Sequence, residues 1–165
     1  MSDVRIHLAS LADVPALAAL EQAANPMPWS ANNLQDVVAN TSGQYHVCML
    51  QSWLGSEWQL LGYWVAMRGV DEAHLLNIAV HPQWQGQGCA HTLLMHLRVW
   101  ALAQQAQSIW LEVRQSNVRA QHVYRQFGFT DVALRKNYYP CPNGGREHAI
   151  IMVKACTDDF SQLFK

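Results

Sequence analysis

Ala79-Val80-His81-Pro82-Gln83-Trp84-Gln85-Gly86-Gln87-Gly88-Cys89-Ala90 runs from the end of an apolar strand through a turn-rich stretch into the start of an apolar helix. A helix N-terminus presents unpaired N–H groups and the positive end of the helix dipole, and glycine lets the backbone approach a phosphate closely. Two glycines also occur in many strand-to-helix turns for steric reasons alone. The stretch lacks the Gly-Lys-Ser/Thr ending of a nucleoside-triphosphate loop. It also lacks the Gly-x-Gly-x-x-Gly spacing with a following acid that a dinucleotide fold uses. A different phosphate ligand is indicated.

Working outward, the helix from this loop is expected over 89–104, with Leu93, Leu94, Leu97, Val99, Trp100 and Ala101 largely apolar. Upstream, period-two patterns predict strands over 45–54, 58–68 and 74–80, joined by Gly-containing turns short enough for an antiparallel meander. A strand over 4–8 and a helix from Leu11 to Ala24, with Pro15 near its start, come first. A shorter helix over 31–40 follows, with Ser30 as its N-cap. Downstream the pattern predicts a strand over 108–114, a helix over 117–127 ended by Gly128, and strands over 129–134 and 147–155. Strand, helix, strand between Leu75 and Val113 forms a crossover unit, so those two strands should be parallel in an otherwise antiparallel sheet.

The 165 residues suit one domain, read as 1–155 with a tail over 156–165 in which Phe160, Leu163 and Phe164 hint at docking. Apolar residues make up 50% of the chain and exclude whole-chain disorder, while charged residues at 14% fall well below the roughly 25% of ordinary domains. The formal charge of −1 gives no overall field for nucleic acid or anionic lipid. It is unevenly spread: residues 1–97 hold Arg5 and Arg68 against seven acids, and 98–165 hold nine bases against five. An anionic ligand can use the second half, unless the halves interleave in space. Cys48, Cys89, Cys141 and Cys156 have no metal-binding spacing, and the eight His residues form no pattern with them, so no metal is expected. With neither a signal core nor a stretch approaching 18 apolar residues, a cytoplasmic protein is expected.

Gln85-x-x-Gly88-x-Ala90 after Ile78-Ala79-Val80 resembles the coenzyme A pyrophosphate loop of the GNAT superfamily of N-acetyltransferases. The order of elements from Val4 to Ala155 is similar to that superfamily. Its RimI branch is resembled by Leu76-Asn77-Ile78-Ala79-Val80, Leu111-Glu112-Val113-Arg114-x-Ser116-Asn117, Tyr124-Arg125-x-Phe127-Gly128-Phe129 and Arg135-Lys136-Asn137-Tyr138-Tyr139-Pro140. The fold implied is mixed α/β (α+β): a mostly antiparallel seven-stranded sheet flanked by helices and splayed at two central parallel strands. The branch acetylates the N-terminal alanine of small-subunit ribosomal protein eighteen, so the resemblance implies acetyl-CoA as cosubstrate and a ribosomal protein N-terminus as partner.

The resemblance further implies that Ile78, Ala79 and Val80 bind acetyl-CoA through main-chain groups. Gly86, Gln87, Gly88, Cys89, Ala90 and His91 cradle its pyrophosphate. Gly86 and His91 replace basic side chains common in this loop, and Ala90 replaces its last glycine. Arg119 or Arg125 is a candidate to compensate.

Strand alternation puts Trp110, Glu112 and Arg114 on one face and Ile109, Leu111 and Val113 on the other. A carboxylate in so apolar a strand either takes the proton that an attacking amine must lose or ties the sheet to a helix by pairing with Arg114 or Arg119. The resemblance favours Glu112 as the base. It likewise implies that Tyr124 protonates the departing thiolate and that Asn117 touches the cofactor. The alternatives are a packing tyrosine with its hydroxyl in solvent and a helix N-cap. Trp29, Tyr138 and Tyr139 resemble aromatics in the two loops flanking a peptide groove, or else lie over the edge of the core. Cys89 has no evident base, so direct transfer in a ternary complex is expected rather than an acyl-cysteine. Rival readings are a small-molecule amine or lysine side chain as acceptor, and a non-catalytic acyl-CoA-binding module. Oligomeric state is not legible.

Overall fold

The computed structural model describes residues 3–157, and within it the elements follow the expected order. They are β1 (Val4–Leu8), a 3-10 turn (Leu11–Asp13), α1 (Val14–Ala24), α2 (Ala31–Ala39), β2 (Tyr45–Leu54), β3 (Glu57–Arg68) and β4 (Glu72–Val80). A second 3-10 turn (Pro82–Trp84), α3 (Cys89–Ala103), β5 (Ser108–Arg114), α4 (Val118–Phe127), β6 (Thr130–Pro140) and β7 (Arg146–Ala155) complete it. The seven strands are ordered β1-β2-β3-β4-β5-β7-β6. Pairing is parallel for β4 with β5 and antiparallel for β1 with β2, β2 with β3, β5 with β7 and β6 with β7. This is the mixed, mostly antiparallel sheet expected.

The chain divides into two compact units. The first comprises residues up to Met67 together with Leu76–Leu97. Here α1 turns Val14, Leu17 and Leu20 inward at helical spacing onto Leu34 of α2, Val47 and Met49 of β2, and Tyr63 and Val65 of β3. Ser30 caps α2 by accepting a hydrogen bond from the Asn33 N–H at 3.1 Å. Leu50 faces Gly62 while Gln51 faces Leu60, so Leu61 is the extra residue of a β-bulge in β3. The bulge brings the Leu61 carbonyl to the His81 N–H at 2.8 Å. Gly62 is obligatory at this point: a Cβ would sit 2.6 Å from the Ala79 carbonyl oxygen.

The second unit comprises Arg68–Leu75 and residues from Arg98 onward. Within it Glu72 to Leu75 pair with Ser108 to Leu111, confirming the parallel crossover. Strand β5 buries Ile109, Leu111 and Val113 and leaves Trp110, Glu112 and Arg114 half-buried, which is the predicted alternation. Asn117 caps α4, its Oδ1 accepting from the Ala120 N–H at 3.2 Å. Gly128 closes the helix in the left-handed region, and the Gly128 and Phe129 amides both donate to the Tyr124 carbonyl.

Several boundaries differ from the sequence reading, most of them by one or two residues. Strands β3 and β4 begin slightly earlier than expected, at Glu57 and Glu72, and β6 extends to Pro140 instead of stopping at 134. Tyr138 and Tyr139 therefore belong to a strand rather than a loop. Its irregularity is real, because Lys136, Asn137 and Tyr138 together oppose only His148, with Asn137 at φ 51°. Turn-like composition there marks a bulge inside a strand. The expected docking residues Phe160, Leu163 and Phe164 lie outside the described residues.

Candidate active site

In the first unit, β4 delivers Ile78, Ala79 and Val80 into the quoted loop. The Gln85 side chain donates to the Val80 carbonyl at 3.0 Å, and the Trp84 N–H donates to the His81 carbonyl at 2.8 Å, so the loop is pinned to its strand. Gly86 and Gly88 take φ of 75° and 86°, and a Cβ at either would meet nothing within 4 Å. Left-handed backbone with open space beside it is a surface that glycine alone presents without strain. Immediately afterwards α3 begins, and a first turn leaves amides without partners inside the helix. Cys89 and Ala90 are half-buried and His91 is exposed. A loop of this shape followed by a helix start can take an anionic group through its backbone.

In the second unit, Glu112 is met by Arg135, with Nη1 to Oε1 at 3.2 Å. The alternative of a pairing with Arg114 is not what forms: Arg114 instead binds Glu147 at 3.0 Å. The reason is register. Ala149 of β7 faces Arg114 on one side and Arg135 on the other, and so small a residue leaves room for long side chains to cross the sheet face. The Arg135 guanidinium also lies 5.0 Å from the Tyr138 ring centroid, and the Arg114 guanidinium 4.4 Å from that of Tyr139. The two tyrosine rings meet edge-on at 4.9 Å.

These contacts keep the phenols protonated. A hydrogen bond to Glu112, then burial, raises Tyr138. Burial, then the Glu112 charge, pushes Tyr139 up to about 12. Tyr124 is buried against Phe129, ring centroids 5.9 Å apart, and desolvation with a smaller contribution from Tyr139 drives its phenol well above the ordinary range. It is therefore not the packing residue with a solvated hydroxyl that the sequence left open. Glu112, Arg135, Tyr138, Tyr139 and Tyr124 accordingly form one neighbourhood containing both a carboxylate and protonated phenols.

The other expected residues are placed less decisively. Asn117 uses its Oδ1 as a helix cap. Arg125 is engaged by Asp131, at 2.8 and 3.1 Å, which accounts for its cation within the fold. Trp29 packs against the first unit's core.

Sequence reasoning missed a buried polar cluster in that unit. Glu21 is 0% exposed and accepts hydrogen bonds from Tyr63, Asn77, Asn25 and the Trp29 amide. Its signal was present: an acid stands four residues after Leu17, on the apolar face of α1.

Known proteins match this chain over most of its length. Residues 14–129 match the Acetyltransferase (GNAT) family. Over 140 residues the chain is 39% identical to a [Ribosomal protein bS18]-alanine N-acetyltransferase of Haemophilus ducreyi, covering 85% of this chain and 92% of the relative. The crystal structure of the ribosomal-protein-S18-alanine N-acetyltransferase from Escherichia coli superimposes with a TM-score of 0.81 and 33% identity, covering 94% of this chain and 96% of that one. Arabidopsis thaliana NAA60 in complex with acetyl-CoA, at 16% identity, shares the fold with a TM-score of 0.80 over 93% of this chain and 98% of that one.

Proposed function

Because the chain belongs to the GNAT family of acetyltransferases, we propose that it transfers the acetyl group of acetyl-CoA to the N-terminal α-amine of a protein. The acceptor is the N-terminal alanine of ribosomal protein bS18, the substrate named for its relatives. The reading takes residues 1–155 as one catalytic domain and the cytoplasm as its setting. No described helix is long and apolar enough to cross a membrane.

In this reading Ile78, Ala79 and Val80 hold acetyl-CoA through main-chain groups, and the backbone of 86–91 takes its pyrophosphate. Asn117 adds a side-chain amide contact. Glu112 accepts a proton from the incoming ammonium. The freed amine attacks the thioester carbonyl, which a main-chain N–H at or beside Val80 polarises. As the C–S bond breaks, Tyr124 gives its proton to the coenzyme sulfur, and the proton shed by the acylated nitrogen returns through solvent to the phenolate. Transfer is direct, and Trp29, Tyr138 and Tyr139 grip the acceptor peptide.

The observation that carries the reading is the setting of Glu112. It is a carboxylate on a strand whose opposite face is fully apolar, ringed by Arg135 and by phenols that retain their protons. An acid and a base in one neighbourhood are what proton transfer at both ends of aminolysis needs.

The test is tandem mass spectrometry of a peptide with the bS18 N-terminus and an internal lysine, beside an N-blocked control, after incubation with acetyl-CoA. Acetyl on the α-amine alone, lost in Glu112→Gln, is expected. Acetyl only on lysine, or on neither amine, overturns the acceptor assignment.

A further inference from the structure

The Glu21 cluster is built around a buried, hydrogen-bonded carboxylate. Oε1 accepts from Asn25 Nδ2 at 3.0 Å and from the Trp29 amide at 3.2 Å. Oε2 accepts from the Tyr63 hydroxyl and from Asn77 Nδ2, the latter at 3.0 Å. Asn77 Nδ2 also donates to the Tyr63 oxygen at 3.0 Å. Four donors fill the acceptor capacity of a carboxylate. Burial and the adjacent Glu21 charge together raise the Tyr63 phenol, so it too stays a donor.

Stability alone is a poor reason for such a group, since a buried charge replaced by a well-packed apolar side chain is often neutral or stabilising. What the carboxylate does that leucine cannot is join separate pieces of chain. Two of its bonds hold the segment between α1 and α2 that carries Trp29. The other two hold β3 and β4, and Asn77 immediately precedes Ile78, Ala79 and Val80. One side chain therefore ties the proposed acceptor-side segment to the proposed acetyl-CoA strand.

We propose that Glu21 is a positioning residue for acetyl transfer. It sets the acceptor-gripping segment 25–30 against the cofactor strand, so that acceptor recognition depends on it and acetyl-CoA binding does not. The inference rests on the reading above for the roles of Trp29 and of β4, but the coupling it asserts is measurable without turnover.

The experiment uses the full chain as wild type, Glu21→Gln and Asn77→Ala, the last leaving the carboxylate and all its segment-side bonds in place. Amide hydrogen exchange is read by mass spectrometry, and steady-state kinetics is followed with the N-terminal alanine peptide. Asn77→Ala is expected to speed exchange in 25–30, which Asn77 does not touch, by about threefold or more, and to leave 48–54 unchanged. In both variants the peptide KM should rise about tenfold while the acetyl-CoA KM stays within about twofold, a split that a merely less stable protein would not show. Unchanged exchange in 25–30 overturns the proposal, as does a parallel rise in both KM values. If Glu21→Gln fails to fold, Asn77→Ala decides. If wild type acetylates no amine, the functional reading falls, and the exchange result still decides the coupling.

Discussion

Arg135 Nη1 lies 3.2 Å from Glu112 Oε1 across the face of the second unit's strands, while the side chains remain 53% and 30% exposed. So open a pair contributes less than about 1 kcal/mol. Arg135→Gln should therefore move Tm by no more than about 3 °C, yet lower kcat several-fold by releasing the carboxylate it orients. Glu112→Gln, which removes the proposed base itself, should lower kcat about 100-fold or more. Thermal melts beside peptide kinetics check both, and a large Tm loss in Arg135→Gln would make the pair structural.

Tyr124→Phe keeps the edge-on contact with Phe129 and deletes only the hydroxyl. The protein should fold normally and bind coenzyme A within about threefold of wild type, while kcat falls about 100-fold, in the range of a lost general acid. Calorimetric titration with coenzyme A and single-turnover acetyl transfer separate the two. Unimpaired transfer would return Tyr124 to a packing role.

The close approach at Gly62 links the β3 bulge to the strand before the loop. In Gly62→Ala the new Cβ would lie 2.6 Å from the Ala79 carbonyl oxygen and 3.0 Å from Leu93 Cδ1. One backbone contact and one side-chain contact cannot both be relieved by a rotamer change, so the variant should lose about 1–3 kcal/mol. Acetyl-CoA affinity should fall with it, because Ala79 must move. Urea melts and coenzyme titration read both effects, and a variant with wild-type affinity would detach Ala79 from the cofactor.

The helices and central strands were legible because local rules agree there. Ser30, Asn117 and Gly128 cap where their chemistry dictates, and the alternation at 109–114 shows directly which face Glu112 occupies. What eluded the sequence is long-range. The partner of Glu112 depends on two strand registers and on the size of Ala149. The stretch Arg135 to Pro140 has loop composition, yet it pairs with β7 around a bulge. Glu21 read as one more position on α1 because its donors lie 4 to 56 residues away.

Glu147 gives the second unit an acid-sensitive contact. Burial pushes its carboxyl up, but hydrogen bonds from Ser116 and Arg114 outweigh this and hold it below the ordinary 4.5. A lowered folded-state value means that its stabilisation is complete above about pH 4.5 and is lost as pH falls through that lower value. Wild type should therefore exceed Glu147→Gln by about 1 kcal/mol at pH 7, and the gap should close progressively below pH 4.5. Urea melts between pH 3 and 7 follow it, and a gap independent of pH would assign the difference to packing.

The four cysteines are all free, with Cys48 and Cys156 buried and Cys89 and Cys141 partly accessible. Burial pushes the Cys48 thiol up to about 12 and raises Cys89 and Cys156 as well. Iodoacetamide at pH 8 should thus label Cys89 and Cys141 slowly in the native protein and reach Cys48 and Cys156 only after unfolding. Cys89 opens α3 within the stretch assigned to the pyrophosphate, whereas Cys141 follows β6. Saturation with desulfo-coenzyme A, which carries no competing thiol, should therefore protect Cys89 at least tenfold and leave Cys141 unchanged, read by peptide mass spectrometry. Equal labelling of Cys89 with and without the ligand would place the coenzyme away from 86–91.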